Sequence, residues 1–274
     1  CAASYTLLFR NPAVYEKTQN LVGKMSQWSD TDQYIGRGVL YPLLYSTKDL
    51  SDGRPAGYRT EESEAYYNTL AYAGIPEDQQ ISVICVMFEA YNDFSKFDSI
   101  SFTDDPYVLF HELQAESAYG ELVTNIFAGG TIDTERCFLT GDTEVRNYRA
   151  PAWSLARYFK EQGYETSFCH PGNEWFYNRR NVADYLGFDE SWFYEDRYAA
   201  PEGWGLLNDA GFLSDLAVLL EEHTADGTPY FNFSVTYQNH GPYSDSSLKR
   251  EDLYVAQDGI SQEALAQRVE GASF

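Results

Sequence analysis

The stretch Ile81-Ser82-Val83-Ile84-Cys85-Val86-Met87-Phe88-Glu89 decides the fold. It is a nearly unbroken apolar run with β-branched residues, the pattern of a strand buried on both faces of a parallel sheet, and Glu89 stands at its carboxyl end. Outward from it, Pro151 to Gly163 reads as a helix, with Pro151 at the start, Leu155, Ala156 and Phe159 apolar, and Gly163 as the stop. Tyr164 to Cys169 follows at once as a short strand. Asp209 caps a second helix carrying Phe212, Leu213, Leu216, Leu219 and Leu220 on one stripe, and Pro229 leads into a strand over Tyr230 to Thr236. Helix and strand alternate, which predicts an α/β fold with a largely parallel sheet.

Composition bounds what such a fold can do. A chain of 274 residues with 43% hydrophobic and 16% aromatic content can bury one substantial core. A net charge of −23 argues against a nucleic-acid groove, which needs clustered Lys and Arg. An anionic substrate must then be held locally, with help from a metal cation. No run approaches the ~20 apolar residues of a membrane span. Cys1, Cys85, Cys137 and Cys169 have no CxxC spacing and are too few for a disulfide scaffold, so at least three are expected as buried thiols. Cys1 is read as a chain boundary in preference to a lipid-carrying mature N-terminus. Residues 1–78 are rich in Tyr, Asp, Ser and Gly and broken at Gly53, Pro55, Gly57 and Pro76, which predicts a lead-in packing on the main domain. Residues 79–243 form that α/β domain. Residues 244–274 read as a polar tail or an incomplete carboxyl-terminal part with no convincing strand.

In parallel sheets ligands gather outside the carboxyl ends of the strands. That rule brings together Glu89 after the first strand, His170 after the second and Asn239-His240 after the third. A strand-end carboxylate is often a solvated loop residue or a cap, but it also suits a hard cation such as magnesium or manganese. In Gly129-Gly130-Thr131-Ile132-Asp133-Thr134-Glu135 the glycines let backbone approach a ligand ahead of a short helix through Phe138, whose N-terminus favours an anion. From spacing alone Thr131 is more readily an N-cap than a nucleophile. Its hydroxyl becomes a nucleophile only if a metal or base lowers the cost of ionisation. Asp133 and Glu135 either tune the helix or are plain first-turn acids. His111 and His223 fit no pattern and are expected to face solvent.

The ordered set is more specific than any member. Phe88-Glu89, Thr131-x-Asp133-x-Glu135, His170-Pro171-Gly172-Asn173 with Phe176-Tyr177-Asn178-Arg179, Leu186-Gly187-Phe188-Asp189, Trp204-Gly205-Leu206 and Asn239-His240-Gly241-Pro242-Tyr243 follow one another in this chain. Together with Arg37-Gly38-Val39 and Pro55-x-Gly57-Tyr58, this series resembles the extracellular domain of lipoteichoic acid synthases over roughly residues 33–243. Those enzymes belong to the alkaline phosphatase and sulfatase superfamily. The resemblance implies a three-layer α/β/α, alkaline phosphatase-like fold, incomplete in this chain. Cys169-His170-Pro171-Gly172-Asn173 is a near miss to the C-x-P-x-R pattern of formylglycine sulfatases, but it lacks the arginine and lies after the second strand, so that activity is rejected.

Carried over by position, the resemblance makes Glu89 a metal ligand and Thr131 both nucleophile and metal ligand, with one Mn2+ or Mg2+ ion between them. It makes Arg179 the grip on a substrate phosphate and His240 a contact to glycerol phosphate. Tyr177 becomes an aromatic wall where the family commonly has tryptophan, and His170 opens the same loop as a further substrate-side residue. The implied reaction is metal-dependent phosphoglycerol transfer from a phosphatidylglycerol-type headgroup, or onto a glycerophosphate polymer, on the extracellular face of a bacterial membrane. The membrane surface would be reached through segments outside this chain. The family also places an Asp-His metal pair further along, and no Asp-His dipeptide occurs here. The expectation is therefore a fragment of a larger enzyme, with little or no activity by itself. The rival expectation is a noncatalytic relative that binds an anionic headgroup or cell-wall polymer, and water as acceptor would make the site a phosphodiesterase or phosphatase.

Overall fold

The computed structural model describes residues 4–18, 30–47, 57–67, 69, 74–98, 100–102, 104–124, 130–143, 148, 150–199, 207–241 and 254–256. The chain divides into two compact units, Cys1–Ile75 and Pro76–Phe274.

The first unit is helical where described, with short helices at Pro12–Tyr15, Asp30–Arg37, Leu40–Ser46 and Thr60–Tyr67. Its local glue is aromatic. The ring of Tyr15 stacks on Tyr45 at 3.8 Å, and the Arg37 guanidinium lies 4.2 Å from the Tyr15 centroid. Pro55 and Gly53, two of the expected breaks, lie outside the described residues, as does Cys1.

The second unit is built on a parallel sheet of four strands. These are β1 (Val83–Met87), β3 (Glu165–Cys169), β4 (Glu190–Trp192) and β5 (Tyr230–Val235), in the spatial order β1-β5-β3-β4. A small antiparallel pair joins β2 (Ile100–Phe102) to β6 (Tyr254–Ala256). The last of these corrects the sequence reading, which found no strand after Tyr243. Three residues are too short for an alternating pattern to show, and only the β2 partner identifies them. The helices named below are α1 (Val108–Glu116), α2 (Thr131–Thr140), α3 (Leu155–Glu161), α4 (Arg179–Leu186) and α5 (Asp209–His223).

The three-layer α/β/α expectation holds because alternate residues of the central strands meet different helices. On one face Phe231 stacks on Phe159 of α3 at 4.4 Å, and Phe233 on Phe138 of α2 at 5.5 Å. On the other, Cys169 packs with Phe212, Leu216 and Leu219 of α5 and with Tyr198. Every residue of β5 is buried, as befits a strand paired on both sides. β1 differs from its expectation. Among the described residues it pairs only with β5, and its side chains are half-buried. Both of its faces are partly covered, and it pairs on one side only among the described residues.

Helix starts also moved. Ser154, not Pro151, caps α3, its hydroxyl accepting from Arg157 N–H at 3.1 Å. Asn208, not Asp209, caps α5, its side-chain oxygen accepting from Gly211 N–H at 2.9 Å. In both cases a side chain that satisfies an orphan helix amide sets the boundary. Of the cysteines, Cys169 is fully buried, whereas Cys85 and Cys137 are half-buried and all three are free thiols, so the expectation of three buried thiols is met at one position.

Candidate active site

The strand order reverses between β1 and β3, because β5 returns to lie between them. Such a switch point leaves a crevice outside the carboxyl ends of the strands. Three chain segments leave the sheet there, at Glu89, His170 and Thr236. The Glu89 N–H donates to the Thr236 hydroxyl at 3.1 Å, tying the ends of β1 and β5 together.

Glu89 is buried, and its Oε2 makes no hydrogen bond. Burial pushes its carboxyl upward from the ordinary value. Arg179 and His240 pull it back by charge, Glu135 pushes it up again, and a hydrogen bond with the Thr131 side chain lowers it. Glu89, Thr131, Arg179, His240 and Glu135 thus feel one another in a single site. Residues from four separate stretches of sequence meet here.

Thr131 is the first residue of α2, and Gly130 takes the N-cap position without a side chain to offer. The Gly130 carbonyl accepts from Asp133 N–H at 2.9 Å and from Thr134 N–H at 3.3 Å. Thr131 is therefore not the cap, the role that spacing alone favoured. Its hydroxyl is left to the Glu89 side.

Arg179 opens α4 and is buried, its Nε and Nη2 donating to Glu135 Oε2 at 3.3 and 3.2 Å. Just before it, Tyr177 and Asn178 both have φ of 57°, the left-handed region. Asparagine tolerates that region, but for Tyr177 it costs on the order of 1–3 kcal/mol and persists only when the surroundings hold it. The hold comes from α2, where Arg136 Nη2 donates to the Tyr177 carbonyl at 2.7 Å. The Arg179 guanidinium lies 5.3 Å from the Tyr177 ring centroid, a cation–π distance. Burial raises the Tyr177 phenol; Arg179 lowers it, while Glu89 and Asp133 push it up.

His170 is fully enclosed, and its Nδ1 donates to the Val235 carbonyl at 2.9 Å. Burial and the nearby Arg179 and His240 charges hold it well below the usual histidine range, so it is neutral. Gly172 sits against this ring, and a Cβ there would come within 2.4 Å of His170 Nε2. The ring also meets Tyr237 edge to face at 5.4 Å. Tyr237 in turn stacks on His240 at 5.0 Å, and His240 is exposed.

Several participants were not singled out from the sequence. Glu135 stood in the ordered motif and was read as tuning the helix or as a plain first-turn acid, with no site role, yet its spacing of four from Thr131 puts the two on one helix face. Arg136, Tyr237 and Thr236 carried no signal a single sequence could reveal. Asp209 is buried beside the segment that bears His240; its N–H donates to Gln238 Oε1 at 2.8 Å, its Oδ1 makes no hydrogen bond, and burial pushes its carboxyl upward against the pull of the Gln238 and Tyr237 backbone.

Of the two histidines expected to face solvent, His111 keeps about a third of its side chain exposed and His223 less, and both rings meet carboxylates that the sequence did not reveal. His111 Nδ1 lies 2.7 Å from Asp105 Oδ2 and its Nε2 3.2 Å from Asp93 Oδ2. His223 Nδ1 lies 2.5 Å from Glu165 Oε2, and its ring stacks on Tyr230 at 4.4 Å. For His111 the two carboxylates raise the proton affinity of the ring, which outweighs the opposing effect of burial.

A divalent cation fits part of this site. The unpartnered Glu89 oxygen and the Thr131 hydroxyl are hard donors of the kind magnesium and manganese take. Among the described residues no group of three His, Cys, Asp or Glu side chains could hold a metal, so these two donors are what the described chain offers.

Comparison with solved structures gives the same architecture. The fold is shared with the lipoteichoic acid synthase LtaP of Listeria monocytogenes, at a TM-score of 0.58 and 16% identity over 76% of this chain and 55% of that one. It is shared also with the phosphoglycerol transferase GacH of Streptococcus pyogenes, solved with sn-glycerol-1-phosphate, at a TM-score of 0.61 and 19% identity over 81% of this chain and 63% of that one. Two proteins of Rhizobium meliloti (strain 1021) are similar in sequence. One, named for cyclic beta-1,2-glucan modification, is 27% identical over 84% of this chain and 37% of its own length. The other, the capsular polysaccharide biosynthesis protein RkpI, is 28% identical over 54% of this chain and 31% of its own length. The chain thus spans about a third of the curated relatives it matches. Residues 82–268 match the sulfatase family model, a span that takes in Glu89, Thr131, Arg179 and His240 and runs past β6, and the chain belongs to that family.

Proposed function

We propose that this chain carries the nucleophile side of a metal-dependent phosphoglycerol transferase. The observation that carries the reading is the convergence of Glu89, Thr131, Arg179 and His240, where a buried carboxylate with an unpartnered oxygen meets a helix-initial threonine and a buried arginine. Manganese or magnesium, when bound at Glu89 and Thr131, would lower the cost of ionising the threonine hydroxyl and offset negative charge on the transferred group.

In this reading the Thr131 oxygen forms a bond to the phosphorus of a phosphatidylglycerol-type headgroup. The bond from phosphorus to the diacylglycerol oxygen breaks, and diacylglycerol leaves with a proton from solvent. The threonine proton passes to solvent, while the Glu89 carboxylate would stay ionised to hold the cation. The product on the protein is glycerophosphoryl-Thr131. An acceptor hydroxyl then attacks the same phosphorus, freeing the threonine oxygen to take back a proton. Arg179 steadies the phosphoryl oxygens, His240 and the Tyr177 ring border the glycerol, and the enclosed His170 holds Tyr237 in place.

The relatives named for glucan modification and capsular polysaccharide biosynthesis favour a glycan hydroxyl as the acceptor. The same reading sets the protein at the extracellular face of a bacterial membrane, where such lipid headgroups are met. No helix among the described residues is long and apolar enough to cross that membrane.

Intact-mass and peptide spectrometry of the protein incubated with manganese and phosphatidylglycerol vesicles tests this. A glycerophosphoryl adduct on the Thr131 peptide is expected. An adduct on another residue, or turnover with no adduct under quench, contradicts it.

A further inference from the structure

We infer that Glu135 and Arg136 are positioning residues that lock the Tyr177–Arg179 turn onto the helix bearing Thr131, so that Arg179 is aimed before any ligand arrives. The two are successive residues of α2, and they hold opposite ends of one turn. Glu135 Oε2 takes both the Nε and the Nη2 of Arg179, at 3.3 and 3.2 Å. Arg136 Nη2 donates to the Tyr177 carbonyl at 2.7 Å. Both Tyr177 and Asn178 lie in the left-handed region, which asparagine tolerates but tyrosine does not favour, so the anchors hold Tyr177 against its own preference.

The geometry has a chemical consequence. With one edge of the guanidinium committed to Glu135, Arg179 cannot swing freely, and Nη1 is the nitrogen left without a contact to that carboxylate. Ordering a long arginine on binding costs rotamer entropy, and a pre-set guanidinium avoids that cost. Because both anchors sit within two turns of Thr131 on one helix, the hydroxyl and the guanidinium move as one body. Thr131 and Arg179 would then keep their separation whatever the surrounding loops do.

The inference rests on the proposed function only for what Arg179 grips. It is tested in the intact protein by two measurements on Arg136→Met and Glu135→Gln, both checked for a native melting transition. The first is hydrogen exchange of the Arg179 Nε–H, assigned in the nitrogen-15 spectrum by its loss in Arg179→Lys. The second is the affinity for sn-glycerol-1-phosphate by calorimetry. Exchange at least about tenfold faster in both variants, with affinity down about tenfold in Arg136→Met, supports the inference. Unchanged Arg179 exchange in both variants overturns it. If exchange quickens as expected but the parent protein does not bind sn-glycerol-1-phosphate, the positioning role stands and the functional reading fails. Should Arg136→Met not fold, Glu135→Gln alone decides, since the amide keeps one acceptor while losing the charge.

Discussion

Arg179 and Glu135 form an ion pair in which both side chains are almost wholly buried, Nη2 to Oε2 at 3.2 Å. Removing one member of such a pair strands the other charge without water, a penalty of roughly 3–5 kcal/mol. Glu135→Ala is therefore expected to lower unfolding stability by about that amount, measured in urea. The double variant Glu135→Leu, Arg179→Met removes both charges and should lie much nearer the parent. Equal loss in the single and double variants would refute the stranded-charge explanation.

Glu89 trades stability for its place in the site. Its folded-state affinity for protons is raised above the unfolded value by burial. Between those two values the folded protein holds the proton and the unfolded chain releases it, so stability falls as pH rises out of the ordinary glutamate range. Glu89→Gln should raise stability near neutral pH by about 1–2 kcal/mol. It should also abolish any rise in melting temperature on adding manganese. A destabilised variant that still responds to manganese would argue against this assignment.

His111 gives a pH dependence of the same sign in a higher pH window. Hydrogen bonds that the His111 ring donates to Asp105 and Asp93, with the charges of those carboxylates, raise its proton affinity above the ordinary value, against a smaller loss from burial. The stabilisation is fully present below the unfolded histidine value of about 6.5 and is lost as pH rises through the raised folded value. His111→Gln should flatten the melting temperature across that window, and Asp105→Asn should flatten it in part. Melting curves from slightly acidic to alkaline pH with an unaltered slope would show that the cluster is not coupled to folding.

Gly172 has no room for a side chain. A methyl group would press on the enclosed His170 ring, and crowding a packed site of this kind costs about 1–3 kcal/mol. Gly172→Ala should destabilise by that order and displace His170 from the Val235 carbonyl, seen as a shift of the histidine ring resonances. A variant with parent stability and unshifted resonances would mean the loop gives way freely.

How much was legible in the sequence depends on how far a signal reaches. β5, α5 and the strand ends were readable because periodicity and breakers are local, and a parallel sheet then fixes where their carboxyl ends gather. Thr131 was ambiguous until Gly130 proved to be the cap, since either residue could have held that position by sequence alone. β6 and the contacts of Arg136 and Asp209 were hidden because their partners are distant in the chain. The carboxylate partners of His111 and His223 were hidden for the same reason, as they come from other turns and strands.

The central claim is that Thr131 is the nucleophile, and a Thr131→Ala variant of the full-length protein, assayed with manganese and phosphatidylglycerol vesicles for diacylglycerol release, tests it most directly. The account predicts loss of turnover to background with the melting temperature within a degree or two of the parent, since a first-turn residue without a capping role contributes roughly 0.5 kcal/mol or less. Turnover retained in that folded variant would contradict it.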